Sequence, residues 1–261
     1  MTSDPEIFTR REGAFAHLVL NRPAKRNALT MAMWRAIPAL LADLADQTGL
    51  RVLIVRGEGG AFAAGADIAE FERAYASREA ALANQADMQA AMTALEDFPL
   101  PTIAQIGGAC VGGGCGLALC CDVRIATAGA KFGITPGKLG LAYGVADTRR
   151  LVQAVGLSAS KDILFTGRIL DADEAMRLGL VDRIVAGEAL DRSVQDYASA
   201  IAAASGFTAR ATKAILRLIR DGHVADDETS RAVFADAFEG EDFREGRAAF
   251  LEKRPPDFSK S

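Results

Sequence analysis

Two glycine-rich segments in the first half of the chain could present backbone amides to a ligand. Small residues fill Phe62–Ile68, just after a strand-like run and a glycine-rich turn, and a second cluster, Gly107–Gly114, separates a strand-like run from an apolar helix-like one. Small side chains let a ligand approach the main chain closely, and a helix start presents unpaired N–H groups. If amides from both segments converge on one carbonyl oxygen, they form an oxyanion hole that stabilises negative charge.

Two other uses of the glycine run are excluded by its spacing. A dinucleotide-binding G-x-G-x-x-G motif that begins at Gly112 needs glycine at position 117, where Leu117 stands. A phosphate-binding P-loop needs Gly-Lys-Ser/Thr, but Gly137 and Lys138 are followed by Leu139. A glycine cluster taken alone most often reflects close packing. Its meaning therefore depends on the motifs around it.

Several short motifs resemble the enoyl-CoA hydratase/isomerase (crotonase) superfamily in order and spacing, from about residue 12 to residue 185. They are Leu20–Pro23, Asn27–Leu29, Phe62–Ile68, Gly112–Gly114, Cys121-Asp122 and Ala130–Gly133, and the tail Ala249–Arg254 resembles the family's closing helix. The resemblance implies an α/β fold, namely a crotonase-like spiral of repeated ββα turns with a C-terminal helical segment. It also implies a homotrimer or a dimer of trimers that binds an acyl-CoA thioester in a bent conformation.

The resemblance assigns roles to residues as well. It implies that the amides of Ala66 and Gly113 polarise the thioester carbonyl, so that an enolate is stabilised. The residues implied in CoA binding are Ala64, Ala66, Asp67, Ile68 and Gly113, with Lys25, Phe250 and Lys253 near the nucleotide end. Such an enolate mechanism requires no metal, flavin or nicotinamide, and coenzyme A enters as part of the substrate rather than as a cofactor.

The chain departs from the family at both acid/base positions. Family hydratases carry two glutamates that hold and activate water, whereas here Gly116 stands at the first position and Pro136 at the second. Neither residue can transfer a proton, so the sequence argues against ordinary water addition. The run Thr135-Pro136-x-x-Leu139-Gly140-x-x-Tyr143 resembles instead the superfamily's methylmalonyl-CoA decarboxylases. Decarboxylation generates the enolate by loss of carbon dioxide and needs no strong base.

Three side chains near these positions are candidates for catalysis, and each has a structural alternative. Tyr143 is expected equally as a catalytic group and as a buried aromatic residue with a satisfied hydroxyl. Thr135 is either a hydrogen-bonding hydroxyl or a residue that shapes the following turn. Asp147 is the one spare carboxylate of this loop, and the alternative to proton transfer is a surface ion pair with Arg149 or Arg150.

Other potential ligands are expected to be structural. Asp67 and Asp122 are expected to cap helix starts or to pair with nearby arginines. A substrate contact of Asp67 is implied only by the family resemblance. Four cysteines crowd an otherwise apolar stretch, at Cys110, Cys115, Cys120 and Cys121. Their spacing does not match a structural zinc site. We therefore expect no metal, and small buried thiols in a reducing compartment.

Composition and charge exclude several classes of partner. The formal net charge is −4, and charged residues make up 25% of the chain, so nothing indicates a nucleic-acid or anionic-membrane surface. Local Lys/Arg and helix starts must therefore hold an anionic ligand such as CoA. The polar N-terminus lacks the features of a targeting peptide, and no apolar run approaches the length of a membrane span. We expect a cytoplasmic protein.

The first half of the chain alternates strand-like and helix-like segments, as expected of an α/β fold. Strands are predicted at residues 14–20, 52–56, 102–106 and 123–126, and helices at residues 30–46, 86–97, 115–121 and 208–221, with a kink or break at Pro38. From Ser158 onward the pattern is helical, with Asp171 and Glu174 as a capping box. We divide the chain into a spiral core, residues 1–200, and a helical trimerisation segment, residues 201–261.

Three functions remain open from the sequence. The primary interpretation is a lyase of the enoyl-CoA hydratase/isomerase family that acts on a CoA thioester, with an acid supplied by another loop. The second is a methylmalonyl-CoA-type decarboxylase, because both glutamates are absent. The third is a non-catalytic acyl-CoA-binding scaffold.

Overall fold

The structure is a computed structural model that describes residues 5–259. The strands of this part of the chain are β1 Ile7–Glu12, β2 Phe15–Leu20, β3 Val52–Gly57, β4 Thr102–Ile106, β5 Ala109–Val111, β6 Val123–Thr127, β7 Lys131–Gly133, β8 Leu170–Asp171 and β9 Arg183–Val185. The helices are α1 Met31–Ala45, α2 Phe71–Ala74, α3 Arg78–Glu96, α4 Gly113–Leu119, α5 Val145–Thr166, α6 Ala172–Leu178, α7 Leu190–Ala203, α8 Gly206–Arg220, α9 Glu228–Glu239 and α10 Glu241–Glu252.

The larger sheet has six strands in the order β1-β2-β3-β4-β6-β9. Only β1 and β2 pair antiparallel, and the other pairs are parallel. Strands β2, β3 and β4 are almost completely buried along their lengths. This burial explains their nearly continuous apolar sequences, because a parallel sheet covered on both faces has no polar side.

A smaller sheet, in the order β5-β7-β8, runs beside the larger one. Two isolated bridges add to this layer, one between Ala63 and Cys110 and one between Leu29 and Ala66. A turn of the spiral therefore consists of a strand in the large sheet, a short strand in the small layer and a helix, as in β4-β5-α4 and β6-β7-α5. This arrangement confirms the predicted α/β spiral of ββα turns.

Helix α1 shows how local sequence and packing combine. Thr30 caps its start by accepting a hydrogen bond from the Met33 amide. Of the predicted kink or break at Pro38, the break is wrong, because α1 continues through the proline to Ala45. Proline removes one helical hydrogen bond, but the helix buries one face against the core, which includes Trp34 and Ile37. This burial holds the helix together across the proline.

Other boundaries differ from the sequence predictions. Helix α3 starts at Arg78, eight positions before the predicted residue 86, because Ser77 caps it by accepting from the Ala80 amide. The region after Ser158 is not purely helical, since β8 and β9 lie within it and β9 forms the edge of the large sheet beside β6. Asp171 does cap α6, but the Glu174 carboxylate pairs with Arg168 instead of completing a capping box.

The C-terminal helices rest on the core through basic side chains of α8. Lys213 donates to the Leu100 carbonyl oxygen and to the Asp122 carboxylate, at 3.0 and 2.7 Å. Arg220 pairs with Asp97 at 2.9 Å. Beyond α8, large apolar side chains remain exposed on α9 and α10, namely Phe234, Phe238, Phe243, Phe250 and Leu251. Within residues 5–259, no helix combines the length and apolarity needed to cross a membrane.

A histidine is buried in the large sheet. His17 on β2 is 7% exposed, and neither ring nitrogen forms a hydrogen bond within the described residues. Burial lowers the pKa of His17; the Arg56 and Arg10 charges act in the same direction, while the Glu12 carboxylate opposes them. The folded protein therefore keeps this imidazole neutral at pH values where an unfolded chain protonates it.

We expect this histidine to make the protein less stable in mild acid. Between about pH 7.5 and about pH 5.5 the unfolded chain takes up a proton at position 17 that the folded chain does not, so the free energy of unfolding falls as pH falls. His17→Leu removes the group, so its Tm should decline less than the wild-type Tm over this range. Thermal unfolding at both pH values measures the difference, and an equal or steeper decline in His17→Leu contradicts the prediction.

Candidate functional site

The two glycine-rich segments predicted to act together lie in contact. The amide of Ala63 donates to the Ala109 carbonyl, and the Val111 amide donates back to the Ala63 carbonyl, both at 2.9 Å. A Cβ placed on Gly112 would lie 3.6 Å from Cα of Gly65. Residues 63–66 and 109–113 therefore run side by side at the edge of the small layer.

Two amides at this junction have no internal partner. Leu29 binds the residues on both sides of Ala66: its amide donates to the Gly65 carbonyl at 2.7 Å, and its carbonyl accepts from the Asp67 amide at 2.9 Å. The Ala66 amide itself donates to no acceptor within residues 5–259. The Gly113 amide, at the first position of α4, also donates to no acceptor in the described chain. Both N–H groups are thus available to a ligand, and each is held in place by neighbouring backbone bonds.

Close packing explains why small residues are needed here. A Cβ on Gly113 would lie 2.9 Å from the Trp34 ring, and a Cβ on Gly114 would lie 2.5 Å from the Ala63 carbonyl oxygen. Gly65 adopts a φ of 106°, which L side chains avoid. The glycines therefore both permit the approach of the two segments and leave their amides uncovered.

A cleft opens next to Ala66. Its volume is about 260 Å³, counted out to its open mouth. Helices α1, α2 and α3 supply most of its wall, and its lining residues are Leu29, Met31, Trp34, Ala66, Asp67, Glu70, Phe71, Ala74, Tyr75, Asn84 and Met88. The wall is largely apolar, which suits an acyl chain.

The position of the family's first glutamate is filled by other side chains. A Cβ on Gly116 would lie 2.9 Å from the methyl carbon of Met92 and 3.3 Å from the hydroxyl oxygen of Tyr143. The space in which a glutamate side chain would begin is therefore shared by a thioether and a phenol. Pro136, at the second position, starts a short 3-10 turn that runs to Lys138.

The hydroxyl of Tyr143 is buried without a hydrogen-bond partner in the described residues. The structural alternative, a buried tyrosine with a satisfied hydroxyl, is therefore not what the structure shows. Burial raises the pKa of Tyr143 well above its ordinary value, and the nearby Cys115 and Asp147 contribute in the same direction. The phenol stays protonated at neutral pH, so it can donate a proton or a hydrogen bond but cannot serve as a base.

Asp147 forms an ion pair, but not at the surface. Its carboxylate accepts from the Gln89 amide nitrogen at 2.6 Å and from Arg150 at 3.0 Å. Both Asp147 and Arg150 are buried. Arg150 also binds the Glu96 carboxylate of α3 at 2.8 Å. Asp147 thus belongs to a network that fastens the start of α5 to α3.

Comparison with known proteins was made for the whole chain. A family model described as enoyl-CoA hydratase/isomerase matches residues 10–261. A probable enoyl-CoA hydratase of Mycobacterium bovis is 37% identical over 254 residues, 97% of each chain, and a crotonyl-CoA hydratase of Syntrophomonas wolfei is 36% identical over 259 residues, also 97% of each. A solved enoyl-CoA hydratase/isomerase family protein from Hyphomonas neptunium superimposes with a TM-score of 0.95 at 47% identity, covering 97% of each chain.

The chain belongs to the enoyl-CoA hydratase/isomerase family. The resemblance inferred from short motifs is thereby confirmed over nearly the full length. That Gly116 and Pro136 stand at the family's two glutamate positions stays a prediction from the sequence.

Thr135, the third candidate of this loop, is half-buried and directly precedes the turn at Pro136. Its carbonyl oxygen accepts from the Lys138 amide at 3.2 Å. Its Cγ2 lies 3.7 Å from a Cβ placed on Gly133. The turn-shaping contact is therefore present, and a substrate contact of the hydroxyl stays a prediction.

Two aspartates in the family motifs make structural contacts. Asp67 pairs with Arg22 at 2.7 Å and caps the next turn by accepting from the Ala69 amide at 3.0 Å. The hydrogen bond from Arg22 is the main cause that lowers the pKa of Asp67, so this carboxylate is ionised at neutral pH. Asp122 accepts from Thr102 and pairs with a lysine of α8 rather than with an arginine.

The residues implied in CoA binding lie at different distances from the cleft. Ala64 and Ile68 flank Ala66, and Ile68 is exposed. Lys25 is exposed at the end of a short turn, near enough to Asp67 for its charge to lower the pKa of that carboxylate. Phe250, 83% exposed, lies near the end of α10, and Lys253 follows it. α10 packs mainly on α9, so these two residues belong to another part of the surface.

The four cysteines are free and buried. Burial raises the pKa of the Cys121 thiol to about 12, and the pKa of Cys110 and Cys120 rises as well. These three cysteines are therefore packed as neutral thiols. Within the described residues, no group of three or more His, Cys, Asp or Glu side chains is arranged to hold a metal ion.

The sequence suggested that the variable segment Ala74–Ala91 shapes the acyl pocket, but it did not show which residues of α3 enter the site. Asn84, Met88 and Met92 follow one another at helical spacing on its inner face, and Gln89 reaches Asp147. The spacing of four residues indicates a buried helix face. It does not show which other residues pack against that face.

The unpartnered phenol predicts that Tyr143→Phe does not destabilise the fold. A buried hydroxyl without a partner carries a desolvation cost of about 1–3 kcal/mol, so its removal should leave Tm unchanged or raise it. Thermal unfolding of Tyr143→Phe beside Tyr197→Phe, whose ring stacks on Arg183 at 4.3 Å, provides the measurement and a tyrosine control. A clear fall in Tm for Tyr143→Phe would show that the hydroxyl has a structural partner.

Proposed function

We propose that this protein transforms an acyl-CoA thioester whose carbonyl oxygen binds between the amides of Ala66 and Gly113. The observation that carries the proposal is the pair of unpartnered N–H groups on two touching segments, next to an apolar cleft. Two such donors stabilise the negative charge that develops on the thioester oxygen when an enolate forms. The acyl chain enters the cleft, and CoA extends past Ala64 and Ile68 towards Lys25.

The primary assignment is a lyase of the enoyl-CoA hydratase/isomerase family. Relatives named as enoyl-CoA hydratases, one of them a crotonyl-CoA hydratase, support it across almost the entire chain. Because positions 116 and 136 hold glycine and proline, the proton must come from another group. Tyr143 is suited to that role as an acid, since its hydroxyl stands where the first glutamate side chain would begin and it is protonated at neutral pH.

A second reaction is favoured by the same observation. In a malonyl-type CoA thioester the bond between Cα and the carboxylate carbon breaks, the electron pair passes into the enolate, and carbon dioxide leaves. One proton is then added to Cα, from Tyr143 or from water, and Tyr143 regains it from solvent. This reaction needs donors to the enolate oxygen and one acid but no base, which matches a site with two free amides and a protonated phenol.

The two reactions are separated by offering crotonyl-CoA and methylmalonyl-CoA to one preparation, following loss of enoyl absorbance and release of carbon dioxide. Enoyl loss supports the hydratase assignment. Carbon dioxide release without enoyl loss replaces it by decarboxylation. Binding of both thioesters without turnover points to a non-catalytic acyl-CoA scaffold. If neither thioester binds, the proposed function itself is contradicted.

We also propose that the protein acts in the cytoplasm as a homotrimer or a dimer of trimers. The exposed aromatic side chains of α9 and α10 support self-association, because apolar groups concentrated on one surface favour burial against a partner. Four buried, reduced thiols suit a reducing compartment.

The oxyanion assignment predicts that Gly113→Pro lowers turnover about 10²–10³-fold, because proline deletes the N–H donor. Gly113→Ala is the matched control. Like proline, alanine adds a Cβ, which would lie 2.9 Å from the Trp34 ring, but alanine keeps the N–H donor. The measurement is kcat/KM on the substrate identified above, with circular dichroism to show that both variants fold. Equal activity in the folded proline and alanine variants rules out Gly113 as a donor.

A further inference from the structure

One polar side chain of the cleft is not used by the proposed reaction and has no strong partner. Asn84 on α3 lines the cleft and is only 7% exposed. Its amide nitrogen contacts the sulfur of Met88 at 3.8 Å, and its carbonyl oxygen accepts no hydrogen bond within residues 5–259. Buried amides are normally satisfied, and a thioether is a weak acceptor. Asn84 therefore offers hydrogen bonds to whatever occupies the cleft.

The charged groups of the cleft are already paired. Asp67 is bound by Arg22. Glu70 accepts from the Met31 amide and from Arg73, both at 2.6 Å. The residues that line the cleft include these two carboxylates and no cation, so an acyl chain with a carboxylate beyond the β-carbon would meet negative charge. A neutral oxygen, in contrast, would pair with the Asn84 amide.

The place of Asn84 along α3 fixes which part of the acyl chain it meets. Met92 lies against Gly116 and Tyr143, close to the proposed site of proton transfer. Asn84 lies two turns earlier on the same helix and, unlike Met92, lines the cleft beside Ala66. Its amide therefore meets the acyl chain beyond the reacting α- and β-carbons.

We propose that Asn84 determines substrate specificity by selecting acyl-CoA thioesters whose acyl chain carries a neutral oxygen, a hydroxyl or an oxo group, beyond the β-carbon. The proposal rests on the proposed function, because it assigns the cleft to the acyl chain of a CoA thioester. It narrows the substrate class from any short acyl-CoA to acyl-CoAs with an oxygen on the distal chain.

Binding of unreactive saturated thioesters tests the assignment without relying on turnover. Hexanoyl-CoA and its derivatives with a hydroxyl on the fourth, fifth or sixth carbon are titrated into the wild type by calorimetry. At least one derivative should bind about tenfold more tightly than hexanoyl-CoA, the gain expected from one well-placed hydrogen bond. Asn84→Leu, similar in shape but apolar, should lose that preference and still bind hexanoyl-CoA.

Met88→Leu is the matched control, because it alters the same wall of the cleft and leaves the Asn84 amide in place. It should keep the preference for the hydroxy derivative, even if the affinity for both ligands shifts together. If Asn84 only binds a water molecule, all four thioesters bind the wild type equally, and that result overturns the proposal. A preference that survives in Asn84→Leu overturns it too.

The outcomes also separate this inference from the function on which it rests. Tight binding of hexanoyl-CoA with no preference for any hydroxy derivative rejects the role of Asn84 and leaves the thioester site standing. If neither hexanoyl-CoA nor any derivative binds the folded wild type, the proposed function fails and the specificity proposal fails with it. Circular dichroism of each variant identifies any loss of affinity that is due to misfolding.

Discussion

The site depends on the approach of one stretch of main chain to another. Residues 63–66 and 109–113 exchange backbone hydrogen bonds, and a Cβ on Gly65 would lie 3.1 Å from the Val111 carbonyl oxygen. The free amides of Ala66 and Gly113 are held by this ladder and by the close contact of Gly113 with Trp34. Donors fixed in this way need no reorganisation when charge develops on a bound oxygen. The fold supplies the proposed electrostatic stabilisation before any acid or base is considered.

Helix α3 sets the rest of the site relative to these amides. Its inner face forms one wall of the cleft, while Gln89 and Glu96 bind Asp147 and Arg150 at the start of α5. Removing one partner of a buried ion pair typically costs about 3–5 kcal/mol, so this network strongly restrains the segment that carries Tyr143. Glu96 lies 3.4 Å from Arg220 of α8 as well. The C-terminal helices are thereby connected to the network at the start of α5.

Much of the fold was predictable from local sequence, because buried parallel strands and capped helices leave strong local signals. β4 was predicted with its observed bounds, and α1 with its capping Thr30. β1 was missed because its outer residues are polar and partly exposed, and β9 because three residues show no period. The contact between the glycine segments was anticipated, since motifs in a fixed order identified both.

The remaining features of the site depend on contacts between residues distant in sequence, which no local pattern records. Asp147 accepts from Gln89, which is 58 positions away in the sequence. The sequence predicted a pair with Arg149 or Arg150 but could not predict this second partner. Asn84 lies outside the helix predicted at residues 86–97, and its burial depends on the packing of α2 and α3 around the cleft.

The loss of the two glutamates is best understood together with what replaces them. The space beside Gly116 is filled by Met92 and Tyr143. A Cβ on Gly116 would lie 2.9 Å from the Met92 methyl carbon and 3.3 Å from the Tyr143 hydroxyl oxygen. Restoring a carboxylate at position 116 alone would bury a charge against a thioether and a phenol. The nearby cation, Arg150, already pairs with Glu96 and Asp147. Positions 92, 116 and 143 therefore pack as one interdependent set, so a change at one of them requires room from the other two.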